Sequence, residues 1–244
     1  MNVTNSTVLI TGAASGIGLA LAKAYLNHHA YVIICGRDEE KLEKIQKELP
    51  DIKTITCDIS HDDDVDKLIQ NIEKNHPSID VLINNAGIQE NYSLIDKKDH
   101  SSKIFNEINI NLISHLKLVD RFLPKLLSRD HSAIINVSSA LAFVPKKSAP
   151  IYCASKAAIH IYTKVLRYQL EDNSVKVFEI IPPLVDTKMT QGRGTGKISP
   201  ETLAQEALKN IESDHYEIHI GKSKILLFLH RFLPFLAEKI IKNG

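Results

Sequence analysis

Apolar residues along this chain fall into short runs separated by longer stretches in which they return every three or four positions. The runs Thr7–Ile10, Tyr31–Cys35, Ile52–Cys57, Val81–Ile83, Ala133–Val137 and Val175–Ile181 are largely apolar at successive positions, so both faces of each predicted strand must be covered. The stretches between them, among them Glu39–Glu48, Asp62–Asn75 and Ile104–Leu127, have the period of amphipathic helices. This alternation predicts an α/β fold, a doubly wound parallel sheet with helices on both sides, joined by right-handed crossovers. No repeat, low-complexity tract or linker interrupts residues 1–244, so a single domain is expected. The one break in composition is the glycine-rich Gln191–Lys197, which predicts a mobile loop near 188–198. A helix should start after it, with Ser199 as N-cap, Pro200 at the first helical position and Glu201 in the first turn.

Composition adds exclusions. Hydrophobic residues at 43% and charged residues at 24% describe a globular chain with a buried core, not a disordered one. The 30 basic side chains are balanced by 29 acidic ones, which argues against nucleic acid as a partner. Cys35, Cys57 and Cys153 are odd in number and scattered, as expected of reduced packing residues. The histidines, His115 included, form no ligand-like group, so no metal is expected. The polar start at Met1–Ser6 lacks signal-peptide character, no run reaches the ~20 apolar residues of a membrane span, and a cytoplasmic location follows by elimination. The tail Ser223–Asn243 mixes Leu, Ile and Phe with Lys224, Arg231, Lys239 and Lys242. Packing against this domain or another subunit is the favoured reading of this amphipathic segment, and contact with an anionic membrane surface the less favoured one.

Candidate chemistry begins at Thr11–Gly18, between the first predicted strand and the first helix. Gly12, Gly16 and Gly18 permit a tight turn and close backbone approach, while Ser15 and Ile17 stand where helix N–H groups face an anion. This is a pyrophosphate cradle of the Rossmann type. The second strand ends in Gly36-Arg37 without a carboxylate, so a guanidinium is offered to a 2′-phosphate and NADP(H) is favoured over NAD(H). Tyr152 and Lys156 are four apart in a helix-forming segment and share a face. An ammonium near a phenol is expected to lower its pKa from ~10 towards that of a useful acid–base group. Ser138 and Ser139 both follow the fifth predicted strand, and either hydroxyl could serve a substrate oxygen.

These motifs, taken in order with Asp58, Asn84-Asn85-Ala86-Gly87, Asn111, Ser139 and Tyr152-x-x-x-Lys156, resemble the short-chain dehydrogenase/reductase family over about residues 7–190. The resemblance implies an oxidoreductase acting on a small-molecule carbonyl or secondary alcohol. It implies Tyr152 as acid/base, Ser139 as its partner at the substrate oxygen, and Lys156 holding the nicotinamide ribose. Asn111, in preference to Asn109, would order water for a proton relay. Asp58 would contact adenine, and Asn85, Ala86 and Gly87 would lie beside the cofactor. Ile181–Thr187 matches the stretch along the nicotinamide, with Pro182, Val185 and Thr187 as contacts and Pro183 where the family has glycine. A homodimer or homotetramer is implied too. Leu141–Pro145 offers apolar substrate surface, and Arg193 and Lys197 are read as keeping their loop soluble. The alternatives are an NAD-preferring dehydrogenase and a non-catalytic dinucleotide-binding sensor or scaffold.

Overall fold

A computed structural model describes residue 1 and residues 3–243. β1 (Thr7–Thr11), β2 (Tyr31–Gly36), β3 (Lys53–Thr56), β4 (Val81–Asn84), β5 (Ser132–Val137), β6 (Val175–Ile181) and β7 (Glu217–His219) form one parallel sheet in the order β3-β2-β1-β4-β5-β6-β7. The order reverses at β1 and β4, and in doubly wound sheets the crevice beyond such a reversal receives the ligand. α1 (Gly16–Asn27), α2 (Glu39–Glu48), α3 (Asp62–Asn75), α4 (Ser101–Ile108), α5 (Ser114–Leu127), α6 (Pro150–Gln169) and α7 (Pro200–Glu212) connect the strands. Two large apolar clusters form the core, and a small third one gathers Ala149, Tyr152 and Cys153. One large cluster contains Ile10, Ile34, Ile83 and Ile135, and the other Leu9, Ile33, Leu82 and Ile134, so successive side chains of each strand enter opposite layers.

The central strands are buried on both faces as their sequences predict. β3 is the exception, half-buried because it is an edge strand with one neighbour. β7, absent from the sequence reading, is a three-residue edge whose inward residue is Ile218. Ser199 caps α7 by accepting the Thr202 N–H at 3.1 Å, and Pro200 opens that helix. The loop before it is tied by a parallel bridge between Val185 and Ile198.

The tail packs against this domain only in part. Pro234 divides it into α8 (Lys222–Phe232) and α9 (Pro234–Ile241). Ser223 and Ala237 are its buried residues. Most of its large apolar side chains point into solvent, so packing against this domain does not cover them.

Candidate active site

The crevice at the sheet's reversal is floored by the turn from β1 into α1. Gly12 and Gly16 adopt φ of +63° and +57°, a region costly for any residue with a Cβ. A Cβ on Gly12 would stand 2.6 Å from Ala86 Cα, so these two segments touch backbone to backbone. Thr11 Oγ1 fixes that approach. It accepts the N–H groups of Asn85 and Ala86 at 3.0 and 3.1 Å and donates to the Ile83 carbonyl at 3.3 Å. Ser15 is the N-cap of α1 yet makes no side-chain bond to that helix, and it lines the crevice with Gly12, Gly16 and Ile17. The unbonded N–H groups of the first turn and this hydroxyl make a cradle that fits a pyrophosphate.

Gly18 has a different job. A Cβ there would lie 2.5 Å from Asn85 Nδ2 and 2.8 Å from Ala13 Cα, so it lets α1 pack against the end of β4 and does not line the crevice. At the other end, Arg37 and Asp58 both line it. Burial by itself would raise the Asp58 carboxyl. The Ser60 hydroxyl and N–H, donating to Oδ1 at 2.7 and 3.0 Å, outweigh that with help from His61 and Arg37, and hold it below the usual carboxylate range.

Tyr152 and Lys156 lie side by side on α6, 9% and 3% exposed. Lys156 Nζ donates to the Val137 carbonyl at 2.8 Å and lies 5.8 Å from the Tyr152 ring centre. Here the expected lowering of the phenol is reversed. Burial pushes Tyr152 up to about 12, which a hydrogen bond from Ser139 and the Arg193 charge only partly oppose. Burial also brings Lys156 down to about 8. Nζ is spent on the Val137 carbonyl in this arrangement, and burial dominates at the phenol.

The geometry separates the two pairs of near-duplicate candidates. Ser139 is the hydroxyl at Tyr152 and accepts the Leu141 N–H at 3.1 Å. Ser138 turns its hydroxyl to the Ile180 carbonyl at 3.5 Å. The helix expected over 104–127 contains a π turn at Asn109–Ile113, and such an inserted residue re-aims side chains. Asn111 is fully buried, accepts the Ile88 N–H at 2.8 Å, and donates to the Ile88 carbonyl at 2.9 Å and Ser155 Oγ at 3.3 Å. A Cβ on Gly87 would meet Asn111 Oδ1 at 3.3 Å and Lys156 Nζ at 3.7 Å, so these three residues converge. Asn109 reaches the Ser60 carbonyl instead, at 3.2 Å.

Pro182 and Thr187 line the crevice, and Thr187 Cγ2 would be 3.2 Å from a Cβ on Gly16. Val185 is buried in the core and offers the crevice no side chain. Val144 is likewise buried, so it offers no apolar substrate surface. Arg193 is not simply a solvated loop residue, because Nη1 is buried without a partner and its charge is felt at Tyr152 and Lys146. The sequence reading missed Glu107. It is fully buried, accepts the Glu90 N–H at 2.9 Å through Oε1, and leaves Oε2 unpartnered. The available signal was a carboxylate four positions before Asn111 on a helix.

His115 ties α5 to the segment that follows β4. Its Nε2 bonds the Ala86 carbonyl at 2.8 Å, and burial beside Lys156 lowers its pKa to about 3. A folded pKa below the unfolded value gives stability that is full above ~6.5 and declines as pH falls towards 3. His115→Gln should therefore move the acid-unfolding midpoint to lower pH, read by circular dichroism. An unchanged midpoint would show that another group governs acid unfolding. Among the described residues, no group of three His, Cys, Asp or Glu is arranged for a metal ion, and no helix is long and apolar enough to cross a membrane.

A reversed parallel sheet with a phosphate cradle and a buried Tyr–Lys pair defines a dinucleotide-dependent class, and residues 6–197 match the short chain dehydrogenase family. The chain belongs to that family and is an oxidoreductase of the kind that interconverts alcohols and carbonyls. It is similar to the "Uncharacterized oxidoreductase DltE" of Bacillus subtilis, with 40% identity over 227 residues covering 89% of each chain. It also resembles an uncharacterized oxidoreductase of Staphylococcus aureus, 31% identical over 84% of this chain and 90% of the other. A short chain dehydrogenase from Burkholderia cenocepacia solved with NADP superposes over the whole of both chains with TM-score 0.87 and 25% identity. A Burkholderia phymatum relative solved with NAD shares the fold, with TM-score 0.87 and 20% identity over 100% of this chain and 97% of its own.

Proposed function

We propose that this enzyme uses NADP(H) and acts on a carbonyl or secondary alcohol, with Tyr152 as the acid/base. The reading rests on the convergence of Tyr152, Ser139, Lys156 and Asn111 beside the phosphate cradle. When bound, the nicotinamide supplies or accepts the hydride. In the reducing direction Tyr152 keeps its proton at neutral pH and gives it to the developing alkoxide, while the Ser139 hydroxyl donates a hydrogen bond to the same oxygen. Lys156 would hold the ribose hydroxyls in place of the Val137 carbonyl, and Asn111, bonded to Ile88, would order the water that returns a proton to Tyr152.

Arg37 supports the choice of NADP(H), since it stands exposed at the crevice where a 2′-phosphate would lie. Steady-state turnover of a carbonyl and alcohol panel with both cofactors tests the reading. NADPH should be preferred, and Arg37→Glu should move the kcat/KM ratio towards NADH by roughly tenfold or more. Absence of turnover with either cofactor across a broad panel would remove the reading. The homo-oligomer in this reading pairs through α6, whose Ile161, Val165 and Tyr168 form a second exposed apolar face.

A further inference from the structure

Helices α8 and α9 carry large apolar side chains that no described residue covers. Ile225, Phe228, Phe232, Leu233, Phe235 and Ile240 are 54–80% exposed. On α8 they recur at i, i+3 and i+7, one side of the helix, and Phe228 and Phe232 pack ring against ring at 4.8 Å. The orientation is set by the opposite side, where Ser223 Oγ donates to the Ile181 carbonyl at 3.0 Å and Ala237 is fully buried. The Lys147 N–H also donates to the Lys242 carbonyl at 3.1 Å. Rotating the apolar residues inward would break these contacts.

Charge decides what covers the face. Between Lys222 and Lys242 there are five Lys and Arg residues and one acid, Glu238, in a chain whose overall formal charge is only +1. Lys224 is paired with Glu206 at 2.6 Å, which leaves Lys222, Arg231, Lys239 and Lys242 for an outside anion. Lys146 and Lys147 adjoin the end of α9. A second copy on this face would present an equally basic surface, with Glu238 its one acid to complement the other's charges, which is unfavourable. Phosphate-bearing lipid headgroups would complement the same charges while the Phe, Leu and Ile side chains enter the acyl boundary. We propose that α8–α9 is a docking surface for an anionic lipid bilayer, on which the two helices lie without crossing it. α8 also packs against the Ala140–Ala142 turn that follows Ser139, so docking holds the substrate side of the crevice close to the lipid surface.

Sedimentation of the full-length protein with vesicles tests this directly. Binding is expected to vesicles of phosphatidylcholine with a third phosphatidylglycerol, with loss in pure phosphatidylcholine and in high salt. Arg231→Glu and Lys239→Glu should each weaken it roughly fivefold. Phe228→Ser/Phe232→Ser/Phe235→Ser should weaken it by about tenfold or more, while cofactor-induced quenching of tyrosine fluorescence stays as in the parent. No binding to anionic vesicles, or undiminished binding by the triple variant, overturns the proposal. It is also overturned if the triple variant dissociates a lipid-free oligomer, since a second copy would then be the occupant.

Discussion

Tyr152→Phe is expected to lower kcat by about 10²–10⁴-fold while leaving cofactor affinity within a few-fold of the parent. The ring is held by Ala149, Cys153 and Leu141, so phenylalanine fills the same space and only the hydroxyl at Ser139 is lost. Thermal stability should move by no more than about 1 kcal/mol. Stopped-flow hydride transfer and cofactor titration together check the result, and full turnover with a substrate of the parent would end the acid/base assignment. The pH dependence has a definite sign. A phenol at about 12 is protonated at all ordinary pH, so carbonyl reduction should not lose its proton donor between pH 6 and 9. Alcohol oxidation, which needs the phenolate, should rise over that range.

Gly12→Val should be the more damaging change to the molecule as a whole. The position has φ +63°, and a Cβ would meet Ala86 Cα at 2.6 Å, a backbone atom that cannot swing aside. Left-handed strain and the clash together should cost about 2–4 kcal/mol, and the branched side chain would occupy the phosphate cradle. A thermal midpoint several degrees lower and cofactor affinity reduced by about a hundredfold or more are expected. Gly192→Ala separates the two causes. Its φ is +72° but nothing lies within 4 Å of a Cβ, so only the strain, about 1 kcal/mol, should appear. Wild-type cofactor affinity in Gly12→Val would show that the β1–α1 turn is not the phosphate site.

Much of this enzyme is legible locally. Helices α2 and α3 begin and end where the periodicity of Glu39–Glu48 and Asp62–Asn75 places them, because their apolar stripes and acidic first turns are properties of neighbouring residues. The Tyr152–Lys156 pair is legible for the same reason, since four residues along a helix is one face. β7 was missed because three residues are too few to show a period. The alternation of Tyr216, Ile218 and Ile220 with Glu217 and His219 was the available signal.

The sequence by itself determined the parallel α/β class and the glycine turn ahead of α1, and it marked Tyr152 and Lys156 as candidates for the chemistry, all written in spacings of a few residues. The tertiary structure decided which serine faces Tyr152 and which asparagine meets Ile88, 23 positions away. It also decided that the phenol stands above its usual pKa, because burial comes from elements distant in the chain. The outward face of α8–α9 was decided in the same way. Its apolar residues are plain in the sequence, but the bond from Ser223 to Ile181, 42 positions away, determines which side of α8 the protein covers and which it leaves to something else.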